Sequence, residues 1–428
     1  TLSLHDALPI CCVLVPHSSL AQSTEDGERS APHTPITSQR ADLDRPAFNE
    51  CVVRYEDGGN TQTLTLVGDI TNSNNPLQTA VDNADNNSVI QIAGLCQADV
   101  NYTLPNLIDI NRNVTLTLQG GWSTDFSGRD VINAPTILDA NTDKRSQFGR
   151  VIRVRNGDIT LHGVTIQWGL AVDGYTIDQE LIRVGGGVFR SGGTVRIVNS
   201  IIKDNSSFDD GGGVGSRGAG QTIIVNSSIQ ENYAEFLGGG VHHLNGTTTI
   251  VNSVISGNVA GDGGGLEFDR GTVNLINTTV SGNRAAGDGG GILVFANTTN
   301  ISNSILYNNG DPSGGIDIFN DNATINLRNT LYGPYGGDNP NVDANNIQTN
   351  QLSVSDLFVT PLNPSEALTS DGDYRLNDNA LNALADQNLN PIDNGDNSLL
   401  PSESSLGVDV NGDGDTTDNP IQADGFGN

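Results

Sequence analysis

Methionine is absent from this sequence, lysine occurs twice (Lys144 and Lys203), and Phe, Trp and Tyr together make up 5% of it. Each shortage excludes something. Without methionine, the true start is expected to lie upstream of Thr1. A compact core for 428 residues would need more large apolar side chains, so an elongated solenoid is expected, where each coil buries only a thin slice of core. Scarce lysine and a formal net charge of −30 argue against binding a phosphate backbone. They suit solubility, high salt and calcium instead. No stretch approaches the ~18–20 apolar residues that a membrane-spanning helix requires. No phosphate loop, nucleophile elbow or zinc signature is present.

Thr1–Ile10, TLSLHDALPI, reads as the translation of a common sequencing adapter and says nothing about fold. Residues 11–21 resemble the tail of a secretory signal, with Ser19-Leu20-Ala21 as a small-x-small cleavage site. Residues 22–47 are polar and proline-containing, which reads as a flexible linker. There are four cysteines, Cys11, Cys12, Cys51 and Cys96. In an exported protein, Cys51 and Cys96 are expected to form one disulfide. Residues 48–110 read as an N-terminal cap subdomain, with strand-like runs TLTLV and VIQIAG around a helix at Pro76–Asp85.

A repeat follows over residues 111–335. Glycine clusters begin at Gly185, Gly211, Gly238, Gly263, Gly289 and Gly314, spaced by 26, 27, 25, 26 and 25. An aliphatic residue follows each: Val188, Val214, Val241, Leu266, Ile292 and Ile316. One asparagine column is Asn199, Asn226, Asn252, Asn277, Asn303 and Asn329, expected as the structural ladder. Another lies six residues later, at Asn205, Asn232, Asn258, Asn283 and Asn309, and breaks at Tyr335. Segments such as TVRIVNSII and TVNLINTTV alternate at period two, as strands with one buried face do. Three short strands and three turns fit such a coil. With coils stacked ~4.8 Å apart, each residue lies above its counterpart and asparagines can bond amide to amide. These columns predict an all-β, right-handed parallel β-helix with an N-terminal helical cap. Residues 336–370 read as an irregular connection and 371–428 as a C-terminal segment.

The motif GGG-[VLI] followed by N-[ST]-x-[IV]-x-x-N resembles the repeats of secreted bacterial β-helix proteins of the pectin-lyase-like superfamily. It is also similar to repeats of polymorphic outer-membrane proteins. Leu118–Asn141 resembles the segment that precedes such arrays, and Asp158–Gly169 their first full coil, with His162 in the asparagine column. Asp373-Tyr374-Arg375-Leu376 resembles a D-Y-R-L tail, though Asn382 and Leu384 depart from its usual proline and isoleucine. The resemblance implies a secreted or cell-surface bacterial location and leaves activity open.

Two constellations bear on chemistry. Asp409, Asn411, Asp413, Asp415 and Asp418, with Gly414 at the sharp turn, follow the first half of a calcium loop. Pro420 stands where the bidentate glutamate belongs, so Asp418 would have to substitute. On the strand after each glycine cluster, alternation places Phe189, Gly215, His242, Glu267, Leu293 and Asp317 outward. Ser191, Arg217, Leu244, Asp269, Phe295 and Phe319 come next. The resemblance implies sugar binding on such a face, and His242, Glu267, Asp269 and Arg217 are the candidates for acid–base work. Asp209-Asp210 reads as a solvated pair, and His242-His243 lacks the further ligands of a metal site. Coils of nearly equal length leave no room for the long loops that wall an enzyme cleft. A non-catalytic adhesin-like or glycan-binding scaffold is therefore expected, with a polysaccharide lyase or glycoside hydrolase as the alternative.

Overall fold

A computed structural model describes residues 50–141, 149–171, 183–310 and 315–342, with short pieces elsewhere. The adapter stretch, signal remnant, linker and calcium-type loop lie outside the described residues.

Three stacked parallel sheets form the body, with a fourth of five two-residue strands, from Leu170–Ala171 to Arg284–Ala285, between sheets II and III of their coils. Sheet I contains Thr194–Val198, Gln221–Val225, Thr247–Val251, Thr272–Ile276, Thr298–Ser302 and Thr324–Arg328. Sheet II follows after a one-step turn, with Ile201–Lys203, Ser228–Gln230, Val254–Ser256 and Thr279–Ser281. Sheet III has nine strands, among them Val188–Arg190, Val214–Arg217, Val241–Leu244, Leu266–Asp269, Ile292–Phe295 and Ile318–Asp321. Pairing is in register from coil to coil, so that Val188, Val214, Val241, Leu266, Ile292 and Ile318 form one buried column. The sixth member is Ile318, two residues beyond the expected Ile316. Asp317 and Phe319 shift with it: Phe319 stands above Leu293 in the first outward column, and Asp321 above Phe295 in the second.

The two asparagine columns play different parts. Asn199, Asn226, Asn252, Asn277, Asn303 and Asn329 all have φ between 46° and 51°. They form the left-handed turn from sheet I to sheet II, a conformation asparagine tolerates better than other side-chain-bearing residues. Their exposure runs from buried (Asn226) to exposed (Asn277). Asn277 Nδ2 donates to Asn252 Oδ1 at 2.7 Å, but the amide oxygens of Asn199, Asn226 and Asn329 accept no bond, so the column is discontinuous. The residue after each is a buried Ser or Thr whose hydroxyl donates to the carbonyl two residues back, as Ser253 does to Val251 at 2.7 Å. That accounts for the N-[ST] motif.

The continuous buried ladder is the later column, which corrects the expectation for the earlier one. Asn205, Asn232, Asn258 and Asn283 each donate Nδ2 to the next member's Oδ1 at 2.9–3.1 Å. Each backbone N–H donates to that same oxygen at 3.0–3.1 Å. The Nδ2 groups also donate to carbonyls of their own and the preceding coil, as Asn258 does to Ser256 and Ile229. Gly169 N–H opens the ladder on Asn205 Oδ1, and Asp317 closes it by accepting both N–H and Nδ2 of Asn309 at 2.7 Å. Tyr335 breaks the column because the chain shortens there and re-enters sheet III, pairing with Ile318. His162 pairs with Val198, so Gly163, φ 66°, holds the turn position expected for His162.

The parallel coils begin before residue 111. Strand β1 (Glu50–Asp57) pairs antiparallel with β2 (Asn60–Val67) and with β3 (Ser88–Gln97). β3 then pairs parallel with Thr115–Trp122 and Thr136–Asp139, so the first coil lies inside the stretch read as a cap. The expected helix is α1 (Pro76–Asn83). Asn75 caps it by accepting Gln78 N–H, Pro76 sits where no intrahelical N–H is needed, and Arg112 takes the carbonyls of Val81 and Ala84 at the other end. Its apolar face, Leu77, Ala80 and Val81, is buried in the core. Hairpin and helix thus shield an edge that would otherwise offer unpaired backbone. Cys51 and Cys96 are bonded and fully buried, tying β1 to β3.

Two outcomes are expected. Asn258→Leu strands several buried donors and acceptors at ~1–3 kcal/mol each, so a loss above about 3 kcal/mol is expected. Asn252→Leu mainly strains a left-handed residue, at about 1–2 kcal/mol. Equal shifts of the two denaturation midpoints would refute a single buried ladder. Mass spectrometry without reductant should recover the Cys51–Cys96 pair, and reducing it should cost ~3–4 kcal/mol in the chain-entropy model.

Candidate functional site

The glycine clusters decide what happens on the outer face of sheet III. Gly211, Gly238 and Gly263 have φ of 61–63° and fold back onto the strand that follows them. A Cβ on Gly238 would stand 3.1 Å from His242 Cα, and one on Gly263 would stand 3.0 Å from Glu267 Cβ. Only glycine permits both the backbone angle and the approach. The turn therefore lies over the first outward residue at Phe189, His242 and Glu267. Phe189, His242 and Glu267 are 1–3% exposed although they point away from the core.

Register places His242 directly beside Glu267, and Leu244 beside Asp269. His242 Nε2 and Glu267 Oε2 lie 3.1 Å apart, and Asp210 Oδ2 is 3.8 Å from the same nitrogen. Arg217 reaches Asp210 at 3.3 Å. The fold thus unites His242 and Glu267 and links Arg217 to them through Asp210. Asp210 is 9% exposed, not the solvated residue its sequence suggested. The bridge from Asp210 through Leu237 to Asp262 carried no sequence signal, because it depends on how successive turns stack. Asp269 lies further along the strand, half-buried and 3.5 Å from Arg270. Asp317 is drawn away to the asparagine ladder.

Burial dominates the electrostatics. In water, an imidazole and a carboxyl at this distance would favour the charged pair. Here desolvation outweighs that attraction and favours the neutral one. Glu267 is pushed well above the usual carboxylate range by burial, then by the charges of Asp210, Asp269 and Asp262. His242 is pushed down to about 3 by burial and then by Arg217.

His243 faces the opposite way, into the interior. Its Nδ1 lies 2.8 Å from Thr248 Oγ1 and 3.4 Å from Ser216 Oγ. Burial, then Arg190 and His242, lower it to about 4. Arg190 is fully buried beneath the same corner, donating to Thr222 Oγ1 and to the carbonyls of Ala219 and Gly218. The two histidines therefore cannot share a metal, and no cluster of three metal-ligating side chains occurs among the described residues.

The arrangement is a protonated acid beside a neutral base, the chemistry of an acid–base pair, sealed from any substrate by the turns above it. It predicts a pH profile. His242 and His243 have lowered folded pKa values, so the stability they contribute is present above about 6.5 and is lost as pH falls toward 4 and 3. Glu267 has a raised one, so its contribution is lost as pH rises through that value. Glu267→Gln, a neutral isostere, should melt near the parent in mild acid and above it at alkaline pH. Parallel curves at all pH values would overturn the neutral-pair assignment.

Residues 150–332 match the family model described as right handed beta helix region. Among curated proteins nothing matches. A solved structure of pectate lyase Pel9A superimposes with a TM-score of 0.38 at 15% identity, covering 70% of this chain and 83% of that one. No described helix is long and apolar enough to cross a membrane. With its stacked parallel sheets and register-true coils, the chain has the fold of a right-handed parallel β-helix.

Proposed function

We propose that this chain is a non-catalytic scaffold, secreted or displayed on a bacterial cell surface, that binds glycans in the manner of an adhesin. One observation carries the reading: the acid–base pair on sheet III, His242 and Glu267, is buried beneath the glycine turns. Catalysis needs its acid and base within hydrogen-bond reach of the substrate. The Cys51–Cys96 disulfide supports an oxidising compartment. A solenoid with repeated polar faces suits long polymers, which it can hold through many weak contacts. The loop Asp409–Asp418 is part of the proposal as a calcium site, with Asp409, Asn411, Asp413, Asp415 and Asp418 as its oxygen ligands.

The competing reading, a polysaccharide lyase or hydrolase, draws on the raised Glu267 beside His242 and requires the turns at Gly238 and Gly263 to open. The test incubates the protein with pectins, alginates and sulfated glycans plus calcium, following reducing ends and absorbance of unsaturated products. No turnover is expected. Turnover lost in both Glu267→Gln and His242→Ala would establish the enzymatic reading instead.

A further inference from the structure

The outer face of sheet I carries a second ladder that the buried one does not explain. Thr247, Thr272, Thr298 and Thr324 stand in direct register as one outward column. Two residues along each strand is another: Thr249, Asn274, Asn300, Asn326 and finally Asn341. Asn300 donates Nδ2 to Asn274 Oδ1 at 2.9 Å, Asn326 to Asn300 at 2.8 Å and Asn341 to Asn326 at 2.9 Å. Asn274 donates to Thr249 Oγ1 at 3.4 Å. Each bond uses one N–H and one lone pair of an amide that has two of each. Asn274, Asn300 and Asn326 are half-buried and Asn341 is exposed, so the ladder locks the amide planes while leaving the remaining donor and acceptor at the surface. Thr298 and Thr324 are exposed beside them.

Two further observations give the strip direction and chemistry. None of these nine outward positions carries a charge, on a chain whose formal net charge is −30. At its Thr247 end the strip opens into a depression of about 660 Å³ lined by Ala219, Gly220, Gln221, Asn245, Gly246 and Thr247, again without a charged side chain.

We propose that this strip binds an uncharged polysaccharide lying along the stacking axis, with the depression seating part of the chain. The inference rests on the glycan-binding reading above and places it on sheet I, away from His242 and Glu267. A linear polyhydroxyl ligand meets a donor and an acceptor at every coil, ~4.8 Å apart. Preorganised amides lose little side-chain entropy on binding, and repetition compensates for weak single contacts. An anionic glycan would be repelled by the field of the whole chain, with no row of cations to receive it. A protein partner would need an apolar centre, and the apolar positions beside the strip, Val251 and Ile276, are already packed with Leu406 of this chain.

The test is affinity electrophoresis of the whole chain in gels containing hydroxyethyl cellulose, galactomannan or dextran, beside gels containing polygalacturonate or alginate. Retardation is expected in at least one neutral gel. The double variant Thr298→Glu with Thr324→Glu, at exposed positions, should weaken it at least tenfold with an unchanged melting temperature. Thr298→Val should weaken it less, and Glu267→Gln should not alter it. Retardation confined to acidic gels, or unchanged in the double variant, would overturn the strip while leaving glycan binding in place. No retardation in any gel would overturn both.

Discussion

Vertical registration of the coils is the constraint from which the rest of this structure follows. A parallel stack held only by backbone bonds and small aliphatic residues could slip. The buried column from Asn205 to Asn309 prevents it. From Asn232 to Asn309 each oxygen accepts two N–H groups from the neighbouring coil, and from Asn205 to Asn283 each amide nitrogen reaches back to carbonyls of its own coil and the one before. A displaced coil would strand several buried groups at once, at ~1–3 kcal/mol each. Asp317 ends the run with an acceptor-only carboxylate where no further asparagine exists.

Registration in turn converts a glycine column into a lid. Because Gly238 and Gly263 recur at one height in successive coils, their turns form a cover over His242 and Glu267 in the first outward column of sheet III. The covered groups then obey the rules of an interior. His242 and Glu267 settle toward their neutral forms, and Asp210 becomes the partner of Arg217. On sheet I, Thr272 and Asn300 are half-buried and Thr324 is exposed, while the neighbouring outward residues Val198, Val225 and Val251 are packed against Leu406. Two faces of one solenoid thus differ because of the turn that precedes one of them.

The sequence was most informative where one local rule recurs. Period-two segments marked the strands of sheet I, Pro76 and the spacing of Leu77, Ala80 and Val81 marked α1, and Cys51 with Cys96 marked the disulfide. It misled where two patterns look alike. Both asparagine columns have the same period, yet one serves a left-handed turn and the other a buried ladder. The sixth coil went astray by two residues, because counting from Gly314 assumed equal turns.

Architecture, coil length and acidity were therefore written in the chain, since each depends on neighbours a few residues apart or on composition alone. The site was not. Whether His242 is an exposed base or a sealed neutral imidazole depends on a turn four residues upstream folding back over it, and on Glu267 arriving from the next coil. Alternation correctly points both side chains away from the core. Solvent access is a property of what lies above them, and only the stacked tertiary structure decides that.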